Sequence, residues 1–318
     1  MVDSCIICSG CKINMSKDHI EVKEADVSCC ACCGIAEIDD IKLKDCDGCD
    51  LVRYCGDECQ RDHKSEHEED CKKRAAELRD ELLFKQPEET AFGDCPICSL
   101  PLPFGEFSST MYSCCSKLIC NGCDYANMKR EREMRLAHTC PFCRGPQDLS
   151  VEEADKLNMK RIEMNDPVAM VQEGWKRYVE GDYEAAFEYW TKAAELGHAD
   201  AHSKLAVLYR RGEGVEEDVG KEIHHLEVAA IGGDPSARYN LGVFEWNKNG
   251  NADRAVKHFV IAATQGEDAA MKNLMEMFKV GCFSKKDLAA TLRAHKAAVD
   301  ATKSPQREYA EKVGNNEI

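Results

Sequence analysis

The sequence predicts a chain of two unlike halves: small metal-stabilised α+β modules, followed by an all-α helical solenoid. Three observations carry this. Of 21 cysteines, 20 fall within the first 143 residues, and only Cys282 lies beyond them. From Val151 the composition turns to alanine, glycine, charged residues and aromatics with helical periodicity. Within that second half a pattern recurs after 36 residues, as stacked repeats require.

A length of 318 residues leaves room for two or three compact units. The opening "MVDSCIICSGCKINMSK" has no apolar run long enough for a signal peptide, and no window approaches a membrane span. An intracellular, reducing compartment, cytoplasmic or nuclear, is therefore expected, with no membrane partner. Such a compartment favours thiolate metal ligands over disulfides. Zinc is the ion that suits cysteine and histidine sets of this spacing. The formal charge of −16 opposes binding to a phosphate backbone, so no nucleic-acid partner is expected. "KKR" and "MKRERE" are interrupted by acids and read as solvated helix faces.

The first element, residues 1–28, is a cysteine-containing leader in which Cys5, Cys8 and Cys11 leave a third zinc site open, completed by Cys29, Cys32 or His19. Residues 29–75 hold the first cysteine cluster. Its clearest part, "CDGCDLVRYCGDECQRDHKSEHEEDC", offers Cys46 and Cys49, Cys55 and Cys59, and His67 with Cys71. A C-x2-C turn presents both sulfurs to one tetrahedral ion, and H-x3-C puts imidazole and thiolate on one helix face. Six ligands are too many for one ion, and two more from "SCCACCGIAE" give two closed sites.

This segment resembles the MYND zinc finger, whose ending appears as Cys59, Gln60, His63, His67 and Cys71, with Lys64 where tryptophan is usual. The resemblance implies one ion on Cys30, Cys33, Cys55 and Cys59, and another on Cys46, Cys49, His67 and Cys71. Cys29 with Cys32 is the alternative pair. His63 is then read as a packing residue, and the lost tryptophan weakens the expectation of a peptide groove more than that of metal binding. A charged helical linker, residues 76–92, follows, with a short helix expected before Pro87.

Residues 93–147 contain the second cluster: Cys95 and Cys98, Cys120 and Cys123, and Cys140 and Cys143 as C-x2-C pairs, with adjacent Cys114 and Cys115. Three pairs alone leave the second ion two ligands short. The adjacent cysteines make up the deficit, giving one ion on Cys95, Cys98, Cys120 and Cys123 and another on Cys114, Cys115, Cys140 and Cys143. Interleaved ligation replaces much of the core that about 50 residues cannot build. Order and spacing resemble a RING finger, with Lys117 in the histidine's place. Lysine would ligate only as a free amine, against an ordinary pKa of about 10.4. Cys114 is the preferred substitute and His138 its rival. The resemblance implies docking of a ubiquitin-conjugating enzyme charged with ubiquitin through Ile97, Pro141 and Arg144, Arg144 being the residue expected to stimulate transfer. No residue of the module's own is catalytic; any gain would come from orientation.

A linker helix is expected in residues 148–164, followed by the repeats, residues 165–281. "AHSKLAVLYRRGEGVEEDVGKEIHHLEVAAIGG" aligns with the stretch from Ala237, and half a copy, "GDYEAAFEYWTKAAELGHAD", precedes it. Leu205, Leu241 and Leu274 take equivalent core positions, as do Trp190, Leu226 and Phe259; Gly197, Gly232 and Gly266 mark the turns. These units resemble Sel1-like repeats, relatives of the tetratricopeptide family, and the resemblance implies a concave face that holds another protein, with no chemistry of its own. The family's usual glycine after the first-helix leucine is Ala206 in one copy and Gly242 in the next. Residues 282–318 read as a capping helix N-capped by Ser284 and a flexible tail.

The fold class is thus zinc-stabilised MYND-like and RING-like α+β modules before an all-α Sel1-like/TPR-like solenoid, with about four zinc ions, two per finger. The whole order, with the tail "LRAHKAAVDATKSPQREYAE", resembles a family of proteins expanded in diatoms. The leading functional expectation is a RING-type ubiquitin ligase whose repeats select the substrate. The alternative is a non-catalytic zinc-binding protein–protein interaction adaptor. A MYND-containing methyltransferase is set aside, because no cofactor-binding core follows the finger.

Overall fold

The computed structural model describes residues 29–33, 37, 42–88, 90–103 and 108–314, which divide into two units after Leu83. Cys5, Cys8, Cys11 and His19 lie outside the described residues.

The first unit pairs β1 (Lys44–Asp45) antiparallel with β2 (Arg53–Tyr54) and runs into helix α1 (Asp57–Leu83). Cys30, Leu43 and Tyr54 form its small core. The expected short linker helix is absent as a separate element: finger and linker share one helix of 27 residues. No glycine or proline interrupts residues 57–86, so nothing stops the helix where the cysteines end. Its surface is polar nearly all round, which fits ion-paired support. Arg74 supplies some of it, reaching Asp50 at 2.7 Å and Glu81 at 3.0 Å.

The second unit opens with the other cysteine-rich module. Here β3 (Ser109–Tyr112) pairs antiparallel with β4 (Lys117–Cys120), Ser109 opposite Cys120, and α2 (Asn121–Met134) follows directly. Short bridges, Asp94 to Pro101 and Thr139 to Pro146, close the two flanking turns. Leu102, Tyr112 and Ile119 share the core with buried Cys95, Cys120, Cys123 and Cys140. Helix α3 (Val151–Glu163) starts in a capping box between Ser150 and Glu153.

The rest is helical: α4 (Pro167–Glu180), α5 (Tyr183–Glu195), α6 (Ala199–Arg211), α7 (Val219–Ile231), α8 (Pro235–Asn247), α9 (Ala252–Thr264), α10 (Asp268–Lys279), α11 (Lys285–Ala301) and α12 (Pro305–Gly314). Consecutive helices pack as hairpins, α4 on α5, α6 on α7 and α8 on α9. The expected half copy is therefore a whole one, with α4 as its first helix. The two rows of core positions are all buried: Leu205, Leu241 and Leu274, and Trp190, Leu226 and Phe259. Asp166, Asp182, Asp218 and Asp234 cap their helices with side-chain oxygens, as short carboxylates do at an N-cap.

Gly197 and Gly266 take left-handed φ values of 81° and 97°, as expected at the turns, but in the middle repeat that role falls to Gly233 at 86°, not Gly232. The reason is register: the residue three past the alanine pair is Gly197, Gly233 and Gly266 in turn. Inside the hairpins, a Cβ on Gly174 would stand 2.4 Å from the Trp190 ring and one on Gly242 2.6 Å from the Phe259 ring. At the equivalent positions of the middle repeat stand alanine, Ala206, and the smaller Leu226. The departure at Ala206 thus coincides with a smaller residue at the position that Trp190 and Phe259 hold in the other repeats.

Ser284 caps α11 as expected, accepting from the Asp287 amide at 3.1 Å. The tail expected to be flexible is instead helical over Pro305–Gly314 and packs on α2. Its Ser304 oxygen accepts from the Arg307 amide at 3.2 Å.

Candidate metal centres

Four groups of side chains each bring four candidate ligand atoms within 4.8 Å of one another, and each has the membership read from the sequence. In the first unit, Cys30 and Cys33 meet Cys55 and Cys59. The Cys33 and Cys55 sulfurs are 3.6 Å apart, as are those of Cys55 and Cys59. Cys29 and Cys32 are not in the quartet. The second group joins Cys46 and Cys49 to His67 and Cys71 of α1. There Cys46 Sγ lies 3.7 Å from Cys71 Sγ, and Cys49 Sγ lies 3.2 Å from His67 Nε2. The turn between Cys46 and Cys49 needs a glycine: a Cβ at Gly48 would come within 2.9 Å of Cys71 Sγ. His63 stays outside, sharing a 3.1 Å hydrogen bond with the Tyr54 hydroxyl and stacking on His67. Burial pushes the Tyr54 hydroxyl up to about 12, aided by neighbouring thiolates.

In the second unit, Cys95 and Cys98 converge with Cys120 and Cys123, and Cys114 and Cys115 with Cys140 and Cys143. The Cys98–Cys120 and Cys115–Cys140 sulfur separations are both 3.8 Å; Cys114 and Cys143 are 3.3 Å apart. The hairpin permits vicinal ligation: the amides of Cys115 and Ser116 both donate to the Tyr112 carbonyl, and Ser116 turns into the left-handed region at φ 54°. His138 is engaged elsewhere, 3.0 Å from Glu131, whose carboxylate also accepts from the Thr139 hydroxyl at 2.6 Å. Lys117 lies exposed on β4, with its ammonium 5.9 Å from the centre of the Phe142 ring.

The donor sets fit zinc. A tetrahedral ion with Zn–S of about 2.3 Å sets its sulfurs about 3.8 Å apart, close to most separations here and far from bonding distance. None of the 18 described cysteines is in a disulfide. Burial raises the Cys95 thiol, but backbone amide donors outweigh it and hold the group down at about 7.

The docking residues expected from the sequence separate by environment. Ile97 is 43% exposed, whereas Pro141 is buried. Arg144 is exposed, takes a left-handed φ of 62° and donates from Nη1 to Asn127 Oδ1 at 2.9 Å. Two surface features were not anticipated. A groove of about 700 Å³ runs beside the His67 centre, past Tyr54, Gln60, Lys64 and Lys72. Between α8 and α10 lies another of about 360 Å³, lined by Tyr239, Val243, Trp246, Asn273 and Val280. The spacing of Tyr239, Val243 and Trp246 on one helix face was the signal available for the second.

Comparison with known proteins gives the first finger and the repeats independent support. The MYND finger family matches residues 30–71, and the Sel1 repeat family matches residues 169–198, 199–234 and 235–267. Among curated proteins the chain is similar to DAP3-binding cell death enhancer 1 of Mus musculus, 23% identical over 61% of this chain and 46% of that protein. The Rattus norvegicus counterpart is 22% identical over 54% and 42%. The chain thus spans less than half the length of these relatives. Among solved structures it is similar to a protective antigen of uropathogenic Escherichia coli with an SLR fold, at 27% identity and a TM-score of 0.41 over 48% of this chain and 35% of that one. A Sel1 repeat protein from Oxalobacter formigenes matches at 20% identity and a TM-score of 0.42, over 56% and 72%.

Proposed function

We propose that this MYND-like, Sel1-repeat chain is a zinc-binding protein–protein interaction adaptor, binding about four zinc ions, two in each cysteine-rich module. One observation carries the reading: every candidate centre has four protein ligand atoms of its own. Closed four-ligand sites are structural, whereas catalytic zinc keeps a position open for water or substrate. The metal then fixes the modules, and recognition falls to surfaces, among them the aromatic groove between α8 and α10. The curated relatives carry a name that describes binding to another protein, in keeping with this reading.

A second reading, RING-type ubiquitin ligase, is favoured by Ile97 at 43% and Phe142 at 45% exposure near the tips of the two cysteine turns, where a conjugating enzyme would dock. The readings separate in one experiment. Zinc-loaded full-length protein is added to a panel of ubiquitin-charged conjugating enzymes, and in parallel is used to select peptides from a random display library. The adaptor reading expects no stimulated discharge, and selected peptides that lose binding on Trp246→Ala but not on Arg144→Ala. Discharge that Arg144→Ala abolishes would overturn it in favour of the ligase.

A further inference from the structure

The tail that composition marks as flexible instead delivers a buried cation to a candidate metal centre. Arg307, on α12, is 8% exposed. Its Nη2 donates to Cys98 Sγ at 3.4 Å and to the Leu100 carbonyl at 3.2 Å, and its Nη1 donates to the carbonyls of Pro101 at 2.7 Å and Thr302 at 2.6 Å. The turn carrying Cys95 and Cys98 is thus gripped by a side chain 209 residues away. Room for it depends on Gly122, between Cys120 and Cys123: a Cβ there would come within 2.8 Å of Arg307 Cγ and of its backbone nitrogen. Tyr309, two residues on, continues the contact, its ring 5.5 Å from that of Tyr125 on α2.

A buried guanidinium needs compensating charge. Carbonyl oxygens supply dipoles, but no anionic side chain is among its hydrogen-bond partners just named. Four cysteine thiolates around a divalent ion carry a net charge of about −2, and Arg307 meets that charge at Cys98. The other centre of the module receives a neutral donor instead, the Gln147 amide, 3.4 Å from Cys114 Sγ, and its Cys143 is exposed.

We propose that Arg307 is a positioning residue for metal in the Cys95, Cys98, Cys120 and Cys123 centre: it neutralises the metal–thiolate charge and makes metal retention there depend on the docked C-terminal helix. The inference rests on the zinc reading above. A cationic donor on a ligand sulfur withdraws electron density from it, so protons and electrophiles attack it less readily. By linkage, a loaded centre holds α12 in place as strongly as α12 holds the metal.

The test uses full-length zinc-loaded protein, with metal release followed by a chromogenic chelator after addition of a mercurial thiol reagent. Arg307→Met keeps an apolar stem and removes the charge; Arg307→Lys keeps the charge. Groups that orient metal ligands typically alter affinity by about 10- to 100-fold. In Arg307→Met one metal equivalent should therefore leave about 10- to 100-fold faster while the remainder keep their rates, with the helical circular dichroism unchanged. Arg307→Lys should recover part of the loss. Gly122→Ala, which displaces Arg307 by a different route, should reproduce the fast phase. In cobalt-loaded protein Arg307→Met should also shift a thiolate-to-metal charge-transfer band to lower energy, which a loss of packing alone would not do. Unchanged release and spectrum in Arg307→Met, or equal acceleration of every equivalent, would overturn the proposal. Wild-type protein that takes up no metal would instead overturn the zinc reading itself, before any variant is made, and this proposal with it.

Discussion

Replacing Gly242 by alanine tests how the repeats pack. A methyl group there would stand 2.6, 2.8 and 3.1 Å from three ring atoms of Phe259. That ring is 1% exposed and held within a closed cluster that includes Ala263, Met271 and Leu274, so it has little room to retreat. Overpacking of this kind costs about 1–3 kcal/mol, while exchanging a helical glycine for alanine contributes about 1 kcal/mol in the opposite sense. The expected net destabilisation is about 0–2 kcal/mol. Phe259→Leu alone leaves a cavity and should cost about 1–2 kcal/mol, less than the roughly 3–5 kcal/mol of full truncation to alanine. Together the two changes recreate the Ala206 and Leu226 pair of the middle repeat. The double variant should then be more stable than the sum of the singles by about 1–2 kcal/mol, within the roughly 0.5–3 kcal/mol found for residues in contact. Urea unfolding followed by circular dichroism, with equal m-values across the cycle, gives the coupling. Additivity within about 0.5 kcal/mol would refute the register assigned to the hairpins.

Removing a ligand should act locally: Cys95→Ser or Cys140→Ser is expected to lower the metal content by one equivalent, at an apparent cost on the order of 10 kcal/mol of metal-linked stability, while the repeats stay helical; full retention of metal would refute the ligand assignment. Acid should weaken the repeats through His258, 1% exposed against Phe84, whose imidazole burial holds down at about 3. Because the folded state resists protonation, this contribution is intact above the ordinary value of about 6.5 and is lost as pH falls toward 3, by about 2 kcal/mol at pH 5. The urea midpoint should drop between pH 7 and pH 5, and His258→Gln should flatten that slope. Leu205→Ala, at a position 1% exposed, should cost about 2–5 kcal/mol, and an effect under about 1 kcal/mol would show that the hairpin core lies elsewhere.

What the sequence made legible is what repeats or has fixed spacing. Closely spaced cysteine and histidine pairs carried the resemblance to zinc fingers, and in the first finger that resemblance implied the interleaved grouping while leaving the choice between Cys30 with Cys33 and Cys29 with Cys32 open. The row of Leu205, Leu241 and Leu274 was visible for the same reason, being periodic. The first repeat was half hidden because "PVAMVQEGWKRYVE" lacks the leucine of its counterparts. Its shared feature is Gly174, which is informative only once Trp190 is known to lie against it.

The long α1 and the docked α12 escaped for a different reason. A change in composition suggested a boundary after residue 75, yet a helix ends where its backbone is interrupted, and no glycine or proline occurs between there and Leu83. For the tail, the sequence did carry a start signal, Ser304 followed by Pro305. What it could not display was the destination of Arg307, since a contact across 209 residues leaves no period and no spacing to read. An arginine in a polar tail is ordinarily solvated. The glycine at 122 and the sulfur at Cys98 set this one against a candidate metal centre, and both are silent until the chain is folded.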